Sequence, residues 1–120
     1  MSDDRLHPET IAISSGRPAQ EAGAGLNTSI SLNSTFNAGG PINYGRTGNE
    51  TWQQLEAAIS ALEEAESTLV FSSGMAAISA VFSLLPQGAP VVASHEGYSG
   101  TMALLKKYHQ DGRLEVRFVD

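Results

Sequence analysis

Between Thr68 and Leu85 the apolar residues change their period, and that change dictates a strand, a turn and a helix in succession. Thr68-Leu69-Val70-Phe71 is a short β-branched and apolar run, the pattern of a strand buried on both faces. Gly74, in the turn Ser72-Ser73-Gly74-Met75, permits backbone conformations that a Cβ makes costly. From Ala76 to Leu85 the spacing is helical, with Ile78, Val81, Phe82 and Leu85 on one stripe. Such a connection aims the unbonded N–H groups of the first helical turn, here a ring of amides at residues 73–76, at one point. The helix dipole strengthens their attraction for an anion such as a phosphate. The same spacing suits an ordinary connection with a serine N-cap, and by itself it favours that plainer reading.

The flanking sequence extends the alternation. Thr51-Trp52-Gln53-Gln54 has the form of a capping box. Trp52, Leu55, Ile59 and Leu62 then give a helix one apolar face, while Gln53, Glu56, Ser60, Glu63 and Glu64 are expected to face water. Beyond the breaker Pro86-Gln87-Gly88-Ala89-Pro90, Val91-Val92-Ala93-Ser94 reads as a second buried strand. Thr101 is placed as the cap of a helix through Met102, Leu104, Leu105 and Tyr108, which Gly112 stops. Leu114-Glu115-Val116-Arg117-Phe118-Val119 is a third strand. The order is a helix followed by β-α-β-α-β, which implies an α/β fold with parallel strands and right-handed crossovers. Residues 1–50, by contrast, are rich in Gly, Ser, Asn and Pro. A helix start at Pro8 is their clearest signal. An arm of this kind is not expected to pack on itself, and is either disordered or lies across another surface, such as a partner subunit.

In open parallel sheets, ligands gather beyond the carboxyl ends of the strands. Ser72-Ser73-Gly74-Met75 and His95 to Gly100 occupy that edge. Tyr98, between Gly97 and Gly100, can stack on a planar ligand or equally pack over the sheet edge. His95 is expected to serve loop hydrogen bonding more than chemistry. No Ser-His-Asp arrangement is legible.

Composition narrows the partners. A chain of 120 residues suits one small domain or part of a larger one, and 41% hydrophobic content is enough for a core. The formal net charge of −6 and the lack of a basic cluster argue against nucleic acid or an anionic membrane surface. No cysteine is present, so there is no disulfide framework and no thiolate metal site, which fits a cytoplasmic location. Glu63-Glu64-Ala65-Glu66 reads as a solvated face rather than a metal site. The acidic start Met1-Ser2-Asp3-Asp4-Arg5 carries no apolar run of a signal peptide, and no stretch approaches the ~20 residues of a membrane span.

Tyr44-Gly45-Arg46, Leu55-Glu56, Ser72-Ser73-Gly74-Met75-Ala76-Ala77 and Tyr98-Ser99-Gly100-Thr101, in this order and spacing, resemble the Cys/Met-metabolism enzymes that use pyridoxal 5′-phosphate. That family includes cystathionine γ-synthase, cystathionine lyases, methionine γ-lyase and the O-acylhomoserine sulfhydrylases. The likeness covers most of the chain, from His7-Pro8-Glu9-Thr10-Ile11-Ala12 and Gly16-Arg17-Pro18 to Arg117-Phe118-Val119-Asp120.

The resemblance implies the N-terminal part of a fold-type I, aspartate-aminotransferase-like large domain. Residues 1–50 would be an arm reaching a partner subunit, and residues 51–120 the incomplete cofactor-binding α/β domain. Ser73, Gly74 and Met75 would hold the cofactor phosphate, and Tyr98 would stack on the pyridine ring. Tyr44 and Arg46 would reach the phosphate in a neighbouring subunit, where a planar guanidinium can pair with two oxygens. Tyr98 and Tyr44 are the implied catalytic contacts. The implied assembly is a homo-oligomer of active-site dimers, a tetramer, acting on a small amino-acid substrate. The implied reaction is γ-replacement or elimination on O-acylhomoserine with cysteine. A γ-lyase, a sulfhydrylase, and outside the family a non-catalytic phosphate-binding or interaction fragment, are the alternatives.

Three local departures affect only the subfamily: Asn49-Glu50-Thr51 for Asn-Pro-Thr, Gly88-Ala89 for Gly-Asp, and Ser99 in place of the family's glycine. Length is the larger departure, because family members are about three times as long, the size of a large α/β enzyme. The Schiff-base lysine, the aspartate partner of the ring nitrogen and the substrate-carboxylate arginine are implied to lie beyond Asp120. Lys106 and Lys107 match no family lysine. On this reading the chain alone is inactive. Its sheet is expected to show unpaired edges and an uncovered apolar face.

Overall fold

The computed structural model describes residues 6–120, so the expectation for residues 1–5 lies outside the described residues. The chain forms two compact units, Met1–Val70 and Phe71–Asp120.

In the first unit, α1 (Pro8–Ser14) packs against α2 (Glu50–Leu62), and Pro8 sits in the first turn as its missing N–H favours. Gly16 is required beside this contact. Its φ is +70°, and a Cβ there would collide with the Gln54 carbonyl oxygen.

The cap of α2 differs from the predicted box. Asn49, only 4% exposed, is the N-cap. Its Oδ1 accepts from the Thr51 N–H at 2.9 Å, and its Nδ2 donates to the Ser31 carbonyl at 3.2 Å. Asparagine outranks threonine as a cap and also supplies a donor. That leaves Thr51 Oγ1 to accept from the Ser31 N–H at 2.8 Å, tying the arm to the helix start. A Thr35–Tyr44 antiparallel bridge folds the arm further on itself.

The apolar face of α2 is also narrower than its spacing predicts. Trp52 and Ile59 are half-buried, but Leu55 is 52% exposed. Glu56, expected in water, is half-buried and accepts the Val70 N–H at 3.0 Å. Ser60 likewise turns inward and donates to Thr68 Oγ1 at 2.8 Å. The sequence pattern located the apolar side chains but not these backbone donors and polar partners, which need satisfying when removed from water. Helix α2 closes with Glu64 at φ +50° and an Ala65 N–H bond to the Ser60 carbonyl. A left-handed residue other than glycine costs about 1 kcal/mol or more.

The predicted strand Thr68–Phe71 carries no ladder. Strands persist by exchanging hydrogen bonds with a neighbour, and among the described residues no segment pairs with this one. The observed order in the second unit is therefore α3 (Gly74–Ser83), β1 (Ala89–Ser94), α4 (Ser99–Gln110) and β2 (Leu114–Val119). Strands β1 and β2 run parallel, in register from Ala89↔Leu114 to Ser94↔Val119. A helix between adjacent parallel strands is what such a crossover requires.

Leu105, Leu114 and Val116 form the buried core, with Phe82, Leu85, Val91, Tyr108 and Phe118 packed against it. Both strands alternate, so one face of each meets this core and the other is exposed, Val92 included. The second strand is thus covered on one face only, not both as its sequence suggests. Val81 leaves the predicted α3 stripe and is exposed with Leu84, because only the Phe82–Leu85 side of that helix meets the core.

Arg113 ties the layers together. Its guanidinium donates to the carbonyls of Pro86 at 2.9 Å and Leu85 at 2.6 Å, with longer bonds of 3.4 Å to Phe82 and Ser83. These carbonyls lie at and just beyond the C-terminal end of α3, where intrahelical donors run out and a cation also complements the dipole. Gly112, at φ +67°, ends α4 as predicted, and the Arg113 N–H closes on the Tyr108 carbonyl at 2.8 Å.

Candidate functional site

Ser73 is the N-cap of α3, extended at φ −156°, and its Oγ accepts from the Ala76 N–H at 3.2 Å. The Ala77 N–H bonds the Ser73 carbonyl. Ala76 therefore drops out of the expected ring of amides, while Gly74 and Met75 have no acceptor for their N–H groups among the described residues. The Ser73 hydroxyl hydrogen stays available to donate, since its oxygen serves the cap as acceptor.

Gly74 does not take a left-handed conformation here, contrary to the reason its turn position suggests. A Cβ on it would meet nothing within 4 Å. Neither backbone geometry nor packing inside this chain requires a glycine at that position. Open space beside two free amides at a helix start suits close approach by an anion.

Tyr98 precedes α4 as its N-cap without a side-chain cap bond, and the residue is 66% exposed. Thr101, predicted as the cap, lies inside the helix, because α4 begins at Ser99. The first turns of α3 and α4 converge at Gly100: a Cβ placed there would lie 2.8 Å from both Met75 Sδ and Tyr98 Cε1. The structure thus brings the Met75 and Tyr98 side chains together around Gly100, with Tyr98 in the segment that follows β1. Free amides at a helix start suit a phosphate, and an exposed tyrosine suits a planar ring. Gly100 was legible as a flank of Tyr98 and as part of the motif that carries the resemblance; its tight surroundings are a tertiary property.

The His95 ring lies 5.4 Å from that of Phe118, and its backbone N–H extends the sheet to the Val119 carbonyl at 2.9 Å. Tyr44 and Arg46 belong to the first unit, where they meet each other with the guanidinium carbon 5.1 Å from the ring centroid. This cation–π contact leaves Arg46 exposed and the pair on one surface. Gly45 between them is buried, and a Cβ on it would crowd the Asn33 carbonyl at 2.8 Å. Among the described residues no cluster of His, Cys, Asp and Glu could hold a metal, and no helix is long and apolar enough to cross a membrane.

Comparison with known proteins gives these features a context. The sequence model of the family described as Cys/Met metabolism PLP-dependent enzyme matches residues 9–120. Cystathionine gamma-lyase of Bos taurus is 34% identical over 120 residues, covering 95% of this chain and 30% of the relative. Cystathionine gamma-synthase of Mycobacterium bovis is 38% identical over 120 residues, covering 89% of this chain and 31% of the relative. Among solved structures, metB from Corynebacterium glutamicum superposes with a TM-score of 0.87 at 30% identity, over 100% of this chain and 33% of that one. The chain spans about a third of the length of the proteins it matches. With a family match over nearly its whole length and a shared fold, the chain belongs to the Cys/Met-metabolism enzymes that depend on pyridoxal phosphate.

Proposed function

We propose that the start of α3 and the Tyr98 ring form the phosphate- and ring-binding part of a pyridoxal 5′-phosphate site in sulfur amino-acid metabolism. The observation that carries this is the pair of free amides at Gly74 and Met75, open on the glycine side and neighboured by an exposed tyrosine. The Gly74 and Met75 N–H groups and the Ser73 hydroxyl hold the phosphate. Tyr98 stacks on the pyridine ring and orients it. Tyr44 and Arg46 reach from the arm, residues 1–50, to the phosphate bound by a second copy of the chain, and Tyr44 completes the cofactor contacts there. Bound in this way, the cofactor supplies an electron sink for carbon chemistry next to an amino group.

The reaction class we favour is cystathionine γ-synthase-type γ-replacement or elimination on O-acylhomoserine with cysteine, in a cytoplasmic homo-oligomer. A γ-lyase is the second reading, supported by the 34% identity to the bovine lyase beside the 38% identity to the mycobacterial synthase. Turnover is expected only when the lysine, aspartate and arginine implied by family resemblance are supplied by further chain.

Titration of the 120-residue chain with pyridoxal 5′-phosphate and with pyridoxal, followed by cofactor absorbance, tests the site. The phosphate ester should bind more tightly than pyridoxal, and Tyr98→Ala should weaken it about tenfold, the value of one good ring contact. Phosphate binding that survives Tyr98→Ala combined with Arg46→Ala would instead mark a plain anion-binding module. Equal binding of the two vitamers would sink the assignment.

A further inference from the structure

Gly100 occupies a helical position where alanine is intrinsically preferred, and its φ lies outside the left-handed region. Backbone conformation therefore does not explain it. Space does: a Cβ would sit 2.8 Å from Met75 Sδ, 2.8 Å from Tyr98 Cε1 and 3.3 Å from Tyr98 Cζ. Non-bonded heavy atoms attract best at about 3.5–4.0 Å, so all three approaches are too short and the two side chains would have to move. Tyr98 is 66% exposed, so there is solvent into which its ring can be displaced. Half-buried Met75 and the Tyr98 ring thus flank the same empty position, and sulfur near the edge of an aromatic ring is a favourable neighbour.

We infer that Gly100 is a positioning residue: the missing methyl lets the Tyr98 ring seat beside Met75 and thereby fixes the plane on which a flat ligand stacks. The ligand half of this inference rests on the cofactor reading above; the seating of the ring does not. Gly100→Ala swings the ring away from α3 without disturbing the amides of Gly74 and Met75.

The test uses the 120-residue chain and its Gly100→Ala variant. A nuclear Overhauser contact between the Met75 methyl and the Tyr98 ring, measured without ligand, should be present in the parent and lost in the variant. The melting temperature should hold or rise, as alanine replaces glycine in a helix. Affinity for pyridoxal 5′-phosphate should fall about tenfold, while affinity for inorganic phosphate stays the same. In a Tyr98→Ala background, Gly100→Ala should cost nothing more, because both changes remove one contact. A Met75–Tyr98 contact that persists in the variant overturns the seating, whatever the ligand does. Unchanged pyridoxal phosphate affinity, or additive losses in the double variant, overturns the ligand half. A parent chain that binds no pyridoxal phosphate overturns the cofactor reading instead.

Discussion

The two compact units are held by different physics. In the second, Leu105 and Leu114 are each 1% exposed and the neighbouring side chains pack on them. In the first, among the described residues, no hydrophobic side chain is buried to that degree, and the buried polar side chain is Asn49. There the chain is organised by polar bonds from Asn49 and Thr51 to Ser31, and from Glu56 to Val70. Burial is non-directional and tolerates repacking, whereas hydrogen bonds demand geometry and leave a costly orphan when one partner goes. A core forgives small errors of shape; a polar lattice does not forgive a missing atom.

The largest effect that this contrast predicts is in the second unit. Leu114→Ala should lower stability by about 2–5 kcal/mol, read as a shift in the chemical denaturation midpoint, because a fully buried leucine leaves a cavity behind. A cost below about 1 kcal/mol would mean that the core is already loose. Next comes Asn49→Ala, at about 1–3 kcal/mol, since it removes a helix cap and orphans the Ser31 carbonyl. Hydrogen exchange should quicken at Thr51 and in the arm around Ser31 while the Leu105–Leu114 region keeps its protection. Equal loosening of both regions would erase the distinction between them.

The smallest effect concerns the Lys107–Asp111 pair, 2.8 Å apart on the surface of α4. Hydrogen bonding and the charge of Asp111 raise the Lys107 pKa above its ordinary value. A cation with a raised folded-state pKa contributes stability that is fully present below its unfolded pKa. That contribution is lost as pH rises through the folded one. The sign is thus a decline on the strongly alkaline side. Because both side chains are largely exposed, 71% for Lys107 and 51% for Asp111, Asp111→Asn should leave the melting temperature unchanged at neutral pH in moderate salt. A clear drop would show that this end of α4 carries more load than its exposure indicates.

The sequence was most informative where one periodic signal dominated. Pro8 opened a helix, Gly112 closed one, and the apolar run after it gave the strand Leu114–Val119. It failed where a partner decides the outcome. Thr68–Phe71 has strand composition but no neighbour to bond, and Thr51 has a capping sequence but a stronger cap two residues earlier. At the candidate site, Tyr98 and Gly74 could be singled out from turn chemistry and resemblance. The packing of Met75 against Gly100 could not, because side chains from two helices meet there only once both have formed.

Arg113 has a bearing on the order of events during synthesis. It bonds carbonyls 27 to 31 residues earlier in the chain, so the carboxyl end of α3 is left unsealed until β2 begins to emerge. Growing chains are delivered N-terminus first, at roughly 5–20 residues per second, which makes this a wait of a few seconds. During that interval α3 must rely on local bonds alone. The guanidinium then acts as a latch that registers the arrival of the second strand.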